Sequence, residues 1–385
     1  MSEYLGNKTT NSECRQIFAV SQYGHLSYVV WHKQAQRFDE NRVHDTGHLM
    51  VRFVIEKDNV MRHWVSGDIF GIDGLAIEEG FSPDPGDNEV LIDVRAAALN
   101  FSDLLMIEGS NQIQPPRSFV PGQEVAGVVI DTPDGGPWEK GDRIASKVDG
   151  AGFAEQAIVR SDMAIQIPDD VDFATAAALP VVYTTSMVAL AECVVVTPND
   201  WVLVHAAAGG IGLAAVEIAK AMGARVIATA SSREKLSTAD NHGADVGINY
   251  TDEDWVQQIN ATTKGRGANH IIDPVGGVIG EQSLGCIARD GNLLVVGFAS
   301  GTTPKFDGLH LQQNRAAARG VHWSHDRDGP MLKRVNKRLI EMLGVGEIKP
   351  MVDTDFNFDE LPEALRTLET RLVHGKLVLR VGVDI

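Results

Sequence analysis

Residues 205–235 read HAAAGGIGLAAVEIAKAMGARVIATASSREK, and this stretch decides the fold. It begins where the apolar strand pattern DWVLVHA (200–206) ends, and IGLAAVEIAKAMG (211–223) then carries the spacing of a helix. The small residues between them let backbone N–H groups at a helix N-terminus come close to a pyrophosphate. A strand, a glycine turn and a helix in this order predict a dinucleotide site rather than a purely structural turn. The expected contacts are Ala208, Gly209, Gly210, Ile211 and Gly212.

The end of the next strand, RVIATA (225–230), indicates which dinucleotide binds. In sites for NAD, an acidic residue about twenty positions after the turn binds the ribose 2′-hydroxyl. This sequence instead has the hydroxyls of two serines and the cations of an arginine and a lysine there, and these groups suit the 2′-phosphate of NADPH. The alternative is that the cations only form a solvated helix start. We therefore expect NADPH, held at this end by Ser231, Ser232, Arg233 and Lys235.

The order of the predicted elements indicates an α/β fold. Short strands and tight turns fill the chain from about 64 to 160, whereas strands alternate with helices from about 169 to 314. Such alternation is typical of a doubly wound parallel (Rossmann) sheet with helices on both faces. The tail is too short to stand alone, so we expect it to return to the first domain. The predicted boundaries are 61–184 for the β-rich domain, 185–314 for the Rossmann domain and 315–385 for the return.

Composition narrows the classes of partner. The formal net charge is −18 and no long basic run occurs, which argues against nucleic acid or an anionic membrane as a partner. The three cysteines lie far apart, so they offer neither a disulfide framework nor a zinc lobe, and a reducing cytoplasm is expected. Residues 1–60 carry no secretory signal pattern. They are interpreted as a poorly ordered extension, or as translation from a start upstream of the natural one, with Met61 as that natural start.

Several motifs in order resemble one superfamily. They include LNFSDLLMIEG (99–109), FVPGQEVAGVV (119–129), AAAGGIG (206–212), DPVGG (273–277) and VGFASG (296–301). From about Met61 onward the chain is similar to the medium-chain dehydrogenase/reductases, in the zinc-free quinone oxidoreductase (zeta-crystallin-like) branch. The resemblance implies a GroES-like catalytic domain interrupted by the Rossmann domain. It also implies a homodimer.

The zinc-dependent members of that superfamily offer a test of the chemistry. They hold catalytic zinc with a Cys and a His at the positions that Asn100 and Gln123 occupy here. Amide side chains are poor zinc ligands, so we expect no metal and no ordinary alcohol oxidation. Hydride from NADPH would then pass to an electron-poor small molecule, either a quinone or a carbon–carbon double bond conjugated to a carbonyl.

The resemblance implies further site residues. Tyr250 and Arg371 would join the 2′-phosphate contacts, and Gly297 with Phe298 would offer backbone contacts to the far side of the nicotinamide. Tyr250 has the alternative of a plain core aromatic. The catalytic candidates are Asn100 and Thr185, which match positions lining the nicotinamide, and Asp103, a cleft carboxylate. For Asn100 the alternative is a turn-capping amide, and for Asp103 a helix cap.

Two departures keep other functions open. Enoyl-thioester reductases of this superfamily often place a Tyr just after the glycine that corresponds to Gly109, and here Asn111 lies at or near that position. A Tyr-Trp pair of the relatives appears as His322 and Trp323, and His322 would be a proton donor or a plain core or surface histidine. An enoyl-CoA or enoyl-acyl-carrier reductase is therefore the second hypothesis. A non-catalytic NADPH-binding sensor or structural protein is the third.

Overall fold

The computed structural model describes residues 15–20, 26–31, 60–111 and 114–382. The chain divides into two units, Met1–Glu56 and Lys57–Ile385. In the first unit, strands β1 (Arg15–Val20) and β2 (Leu26–Trp31) pair antiparallel. The rest of the predicted N-terminal extension, apart from Val60, lies outside the described residues.

The β-rich part of the second unit is a mostly antiparallel sheet centred on one long strand. Burial alternates in the middle of this strand, over residues 92–96, and is continuous over residues 90–92 and 96–98. An adjoining hairpin is formed by the first two strands of the unit. The elements are β3 (Val60–Ser66), β4 (Leu75–Phe81), β5 (Glu89–Ala98), α1 (Phe101–Glu108), β6 (Glu124–Asp131), β7 (Arg143–Lys147), β8 (Gln156–Arg160), β9 (Ile165–Gln166) and α2 (Phe173–Ala177).

Six parallel strands form the second sheet. Its elements are α3 (Val182–Met187), β10 (Trp201–Val204), α4 (Gly210–Ala221), β11 (Arg225–Ala230), α5 (Arg233–Asn241), β12 (Val246–Asn249), α6 (Trp255–Thr262), β13 (Ala268–Asp273), α7 (Gly277–Ser283), β14 (Ile287–Val295), α8 (Gly308–Asn314) and β15 (Ala317–Gly320). The strand order is β12-β11-β10-β13-β14-β15. Val202 and Val204 belong to one hydrophobic cluster, whereas Trp201 and Leu203 belong to another on the opposite face. Helices cover both faces, which confirms the predicted doubly wound α/β class.

The tail returns to the antiparallel sheet later than residue 315, where we expected it. Strand β15 still pairs parallel with β14, and the buried residues of helix α9 (His325–Gly344) pack into the core of the parallel sheet. The return begins with β16 (Val352–Asn357), followed by α10 (Leu361–Glu369) and β17 (Lys376–Arg380), which pairs with β5. The sequence puts the start of the returning tail too early because AARG (317–320), an exposed edge strand, lacks the apolar run of a buried strand.

The longest apolar run of the sequence, roughly 174–196, is broken rather than continuous. Helix α2 ends at Ala177, and α3 continues from Val182 with a π-helical turn through Glu192. Among the residues described, no helix combines the length and apolar character that crossing a bilayer requires.

Candidate functional site

The glycine turn joins β10 to α4 and exposes a helix N-terminus. Gly209 is the N-cap, and since it has no side chain, the first-turn N–H groups receive no side-chain cap. A β-carbon on Gly212 would lie 2.3 Å from the Ala206 carbonyl oxygen, so this position requires glycine for the helix to pack on the turn. The turn therefore presents free backbone donors and a partial positive charge, the arrangement that binds a pyrophosphate.

The end of β11 brings together the residues expected to contact the 2′-phosphate. Ser232 caps α5 by accepting from the Lys235 N–H at 3.3 Å. The pKa of Glu234 is lowered by its own backbone N–H and then by the neighbouring Ser232 hydroxyl. Burial raises the pKa of Tyr250, against the neighbouring Ser231 hydroxyl, which lowers it.

Two cations meet beside these hydroxyls. The Lys235 ammonium donates to the carbonyl oxygen of Arg371, which belongs to the returning tail. Burial, and then the charge of Arg371, lower the pKa of Lys235. Arg233 is exposed at the first turn of α5. A doubly charged phosphate would relieve the repulsion between Lys235 and Arg371, so the site fits such a group.

A buried polar network lies at the opposite end of the glycine turn. The Lys376 ammonium donates to Asn100 Oδ1 at 2.7 Å and to Glu124 Oε2 at 2.8 Å. The Asn100 amide donates to the same Glu124 oxygen at 3.0 Å, while Glu124 Oε1 accepts from the Val181 N–H at 2.7 Å. Asn100, Glu124 and Lys376 are all at least nine-tenths buried. Their charges are therefore compensated within the protein, in a region of low dielectric.

Asp103 caps a helix rather than facing the cleft, which corrects its assignment as a cleft carboxylate. It is fully buried, and its oxygens accept from the Asn100 N–H at 2.8 Å and from Gln123 Nε2 at 2.9 Å. With Asn100 it forms a capping box at the start of α1. Burial raises the pKa of Asp103 to about 6, against the opposing bond from Gln123. The capping alternative is thus the arrangement observed.

Thr185 lies on helix α3 and is held by an aromatic residue from the segment between β15 and α9. The indole nitrogen of Trp323 donates to Thr185 Oγ1 at 3.0 Å. Trp323 in turn lies edge-on to His325, and burial lowers the pKa of His325 to about 4. His322, the proton-donor candidate next to Trp323, is exposed.

Gly297 and Phe298 follow β14 at the carboxyl edge of the parallel sheet. The Gly297 N–H already donates to the Asp273 carbonyl at 3.3 Å, and the Phe298 carbonyl accepts from Gly301 at 2.8 Å. The Gly297 carbonyl, the Phe298 N–H and the second lone pair of the Phe298 carbonyl are the candidate backbone contacts to a nicotinamide.

Sequence reasoning missed Glu124, Lys376 and the indole of Trp323 as members of the site. Lys376 and Glu124 are 252 positions apart, so no local pattern joins them. A signal was nevertheless present, because each is a charged residue at the start of a largely apolar strand, within VPGQEVAGVV (120–129) and GKLVLRV (375–381). A charge in a buried strand requires a partner.

Asn100 and Gln123 occupy the positions of zinc ligands in the zinc-dependent relatives, and both side chains are hydrogen-bonded within this protein. Gln123 Nε2 donates to Ser102 Oγ at 2.6 Å as well as to Asp103, and Asn100 is held by Glu124 and Lys376. In the described part of the chain, no group of three or more His, Cys, Asp or Glu side chains is arranged to hold a metal ion.

Comparison with known proteins places this geometry in a family. Residues 86–169 match the family described as alcohol dehydrogenase GroES-like domain, and residues 210–337 match the one described as zinc-binding dehydrogenase. The quinone oxidoreductase-like protein 2 homolog of Nematostella vectensis is 35% identical over 312 residues, which cover 79% of this chain and 85% of the relative.

Two solved structures are similar over the same part of the chain. Quinone oxidoreductase of Escherichia coli complexed with NADPH is 26% identical with a TM-score of 0.77. Quinone oxidoreductase of Thermus thermophilus, solved alone and with NADPH, is 32% identical with a TM-score of 0.72. Each alignment covers 83% of this chain and all of the other. The chain therefore belongs to the medium-chain dehydrogenase/reductase superfamily, in its quinone oxidoreductase branch.

Proposed function

We propose that this protein is an NADPH-dependent oxidoreductase that transfers hydride, without a metal, to a quinone or an α,β-unsaturated carbonyl compound. The observation that carries the proposal is the Asn100, Glu124 and Lys376 network, which fills a cleft position of zinc-dependent relatives with an amide and a compensated ion pair. The amide and carboxylate oxygens that could serve as metal ligands there already accept from the Lys376 ammonium, so a metal ion would have to displace it.

The cofactor proposal rests on the fit of both ends of the site. The uncapped N-terminus of α4 would hold the pyrophosphate, and Ser231, Arg233, Lys235 and Arg371 would hold the 2′-phosphate. NADPH, when bound, supplies the hydride. The two relatives that were solved with NADPH support the same cofactor.

The protein's own residues orient the reactants and exclude water. Asn100 bonds to Lys376, whose stem packs against Gly210 of the glycine turn. Thr185 lies next to Ser186, whose hydroxyl donates to the Ile211 carbonyl. Both side chains would therefore line the nicotinamide. Without a metal to polarise an alcohol, the residues suit an acceptor that is already electron-poor. The acceptor's activation then comes from its own conjugation.

We also propose that the chain acts as a homodimer in the cytoplasm. Strand β15 lies at the edge of the parallel sheet with three of its four residues exposed, which suits pairing with a second copy. Cys193 and Cys286 are free thiols, which suits a reducing compartment. Light scattering should give twice the chain mass, and a monomer would contradict the dimer.

A panel of acceptors tests the activity. The protein is mixed with NADPH and with quinones, enones or enoyl-CoA thioesters, and loss of the reduced nicotinamide absorbance is followed. Oxidation with quinones or enones and none with thioesters is expected. Oxidation with thioesters alone would favour the enoyl reductase, and tight NADPH binding with no turnover on any acceptor would favour a sensor or structural role.

A further inference from the structure

One short segment of the returning tail, residues 374–376, contacts three parts of the cofactor site. The ring of His374 bonds to Thr238 of helix α5 at 2.6 Å. The Gly375 N–H donates to the Ala208 carbonyl of the glycine turn at 2.8 Å. Lys376 then enters the buried network with Asn100. This segment therefore links the phosphate end, the pyrophosphate turn and the nicotinamide end.

The backbone conformation and the close packing at Gly375 both require glycine. Gly375 has φ +70°, and a β-carbon there would lie 2.4 Å from the Met351 carbonyl oxygen. The stem of Lys376 also lies against the turn, because a β-carbon on Gly210 would be 2.9 Å from Lys376 Cδ. Lys376 is thus packed between the cofactor helix and Asn100.

Two charged partners fix the orientation of the Asn100 amide. An ammonium can only donate and a carboxylate only accept, so Lys376 must face Asn100 Oδ1 and Glu124 must face Nδ2. A flipped amide would place two donors together and two acceptors together. One N–H of Nδ2 and one lone pair of Oδ1 are left over, and their directions are fixed by the other two bonds.

We propose that Lys376 and Glu124 are positioning residues that hold the Asn100 amide in one orientation toward the nicotinamide end of the cofactor. The inference rests on the proposed NADPH function and extends it to residues that do not themselves line the nicotinamide. The pair acts through Asn100 rather than through electrostatic attraction of the cofactor, because the charge of Lys376 is compensated by Glu124 at 2.8 Å. A buried ion pair contributes little net stability, so an apolar pair could support the fold equally well.

A double-mutant cycle tests the proposal. Asn100→Ala, Lys376→Met and the double variant are compared by NADPH affinity, by the fluorescence emission of the bound nicotinamide and by single-turnover oxidation with a quinone. We expect the Kd for NADPH to change less than about threefold, because the phosphate contacts remain. The emission should shift alike in both single variants, and the rate should fall about 10- to 100-fold in each, with no further loss in the double variant.

Two variants control for folding and for charge. Lys147→Met removes another lysine, which pairs with the exposed Asp149, and should leave emission and rate unchanged. If Lys376→Met does not fold, Lys376→Met with Glu124→Gln removes both charges while retaining an acceptor for the Val181 N–H. This double replacement should reproduce the emission of Asn100→Ala.

The readouts separate failure of this inference from failure of the proposed function. Wild-type emission and rate in Lys376→Met, or losses that multiply in the double variant, would overturn the positioning role. A wild-type protein that binds NADPH but reduces no acceptor would refute the reductase proposal, and the emission would still decide the positioning role. A wild-type protein that does not bind NADPH would overturn both.

Discussion

Two lysines at opposite ends of the cofactor site lie in contrasting environments. Lys235 is partly exposed, contacts a carbonyl oxygen and lies near a second cation, Arg371. Lys376 is buried and bonded to both Asn100 and Glu124. The first lysine has charge left to attract an anion, whereas the second has none. Under the proposed function, the end with Lys235 would bind the charge of the cofactor and the end with Lys376 would fix its geometry.

The largest expected effect comes from breaking the buried ion pair between Glu124 and Lys376. Glu124→Leu leaves Lys376 as an unpaired buried charge and removes the acceptor of the Val181 N–H. We expect the free energy of unfolding to fall by about 3–5 kcal/mol, measured by chemical denaturation. Adding Lys376→Met should restore part of it. An equal loss in both variants would mean that the charge pair is not what compensates the burial.

The pH dependence of stability probes the same region. Burial raises the pKa of Asp103 from 3.8 to about 6, so the folded state binds this proton more tightly than the unfolded state. The stabilisation is fully present below pH 3.8 and is lost as pH rises through about 6. The full contribution to the free energy of unfolding is about 3 kcal/mol.

The variant Asp103→Asn isolates this contribution from the other titrating groups. The stability of the wild type relative to the variant should be greater at pH 4 than at pH 7, by up to the size given above. Denaturation curves at the two pH values measure the difference. A difference that does not vary with pH would show that Asp103 keeps an ordinary pKa in the fold.

At the exposed end, the expected loss is of affinity rather than stability. Lys235→Ala should weaken NADPH binding about 10- to 100-fold and leave NADH nearly unchanged, because only NADPH carries the 2′-phosphate. Titration of both cofactors measures the ratio. Lys220→Ala, at an exposed lysine paired with Asp245, is the matched control. Equal weakening of both cofactors would contradict the phosphate assignment.

The smallest effect is expected at an exposed ion pair that links the two lobes. Asp326 of α9 pairs with Arg160 of β8 at 2.5 Å, and its side chain is 76% exposed. Asp326→Asn should lower the free energy of unfolding by less than about 1 kcal/mol, as measured by denaturation. A loss as large as that of Glu124→Leu would remove the distinction between buried and exposed pairs.

Local features of the fold and site were predictable from sequence, while the long-range ones were not. The turn from Gly209 to Gly212 and the start of α5 were predictable because strand, turn, helix and cap signals act over a few positions. Asp103 was ambiguous, since the same carboxylate suits a cap or a cleft. The partnership of Glu124 with Lys376 depends on how β17 pairs beside β5, which no short pattern encodes.

The central claim is tested most directly by NADPH oxidation in protein that has been treated with a strong chelator. The protein is mixed with stoichiometric NADPH and excess quinone, and a sample without protein corrects for direct reaction. We predict enzymatic oxidation that is unchanged by the chelator and by added Zn²⁺. Oxidation that disappears with the chelator and returns with Zn²⁺ would contradict it.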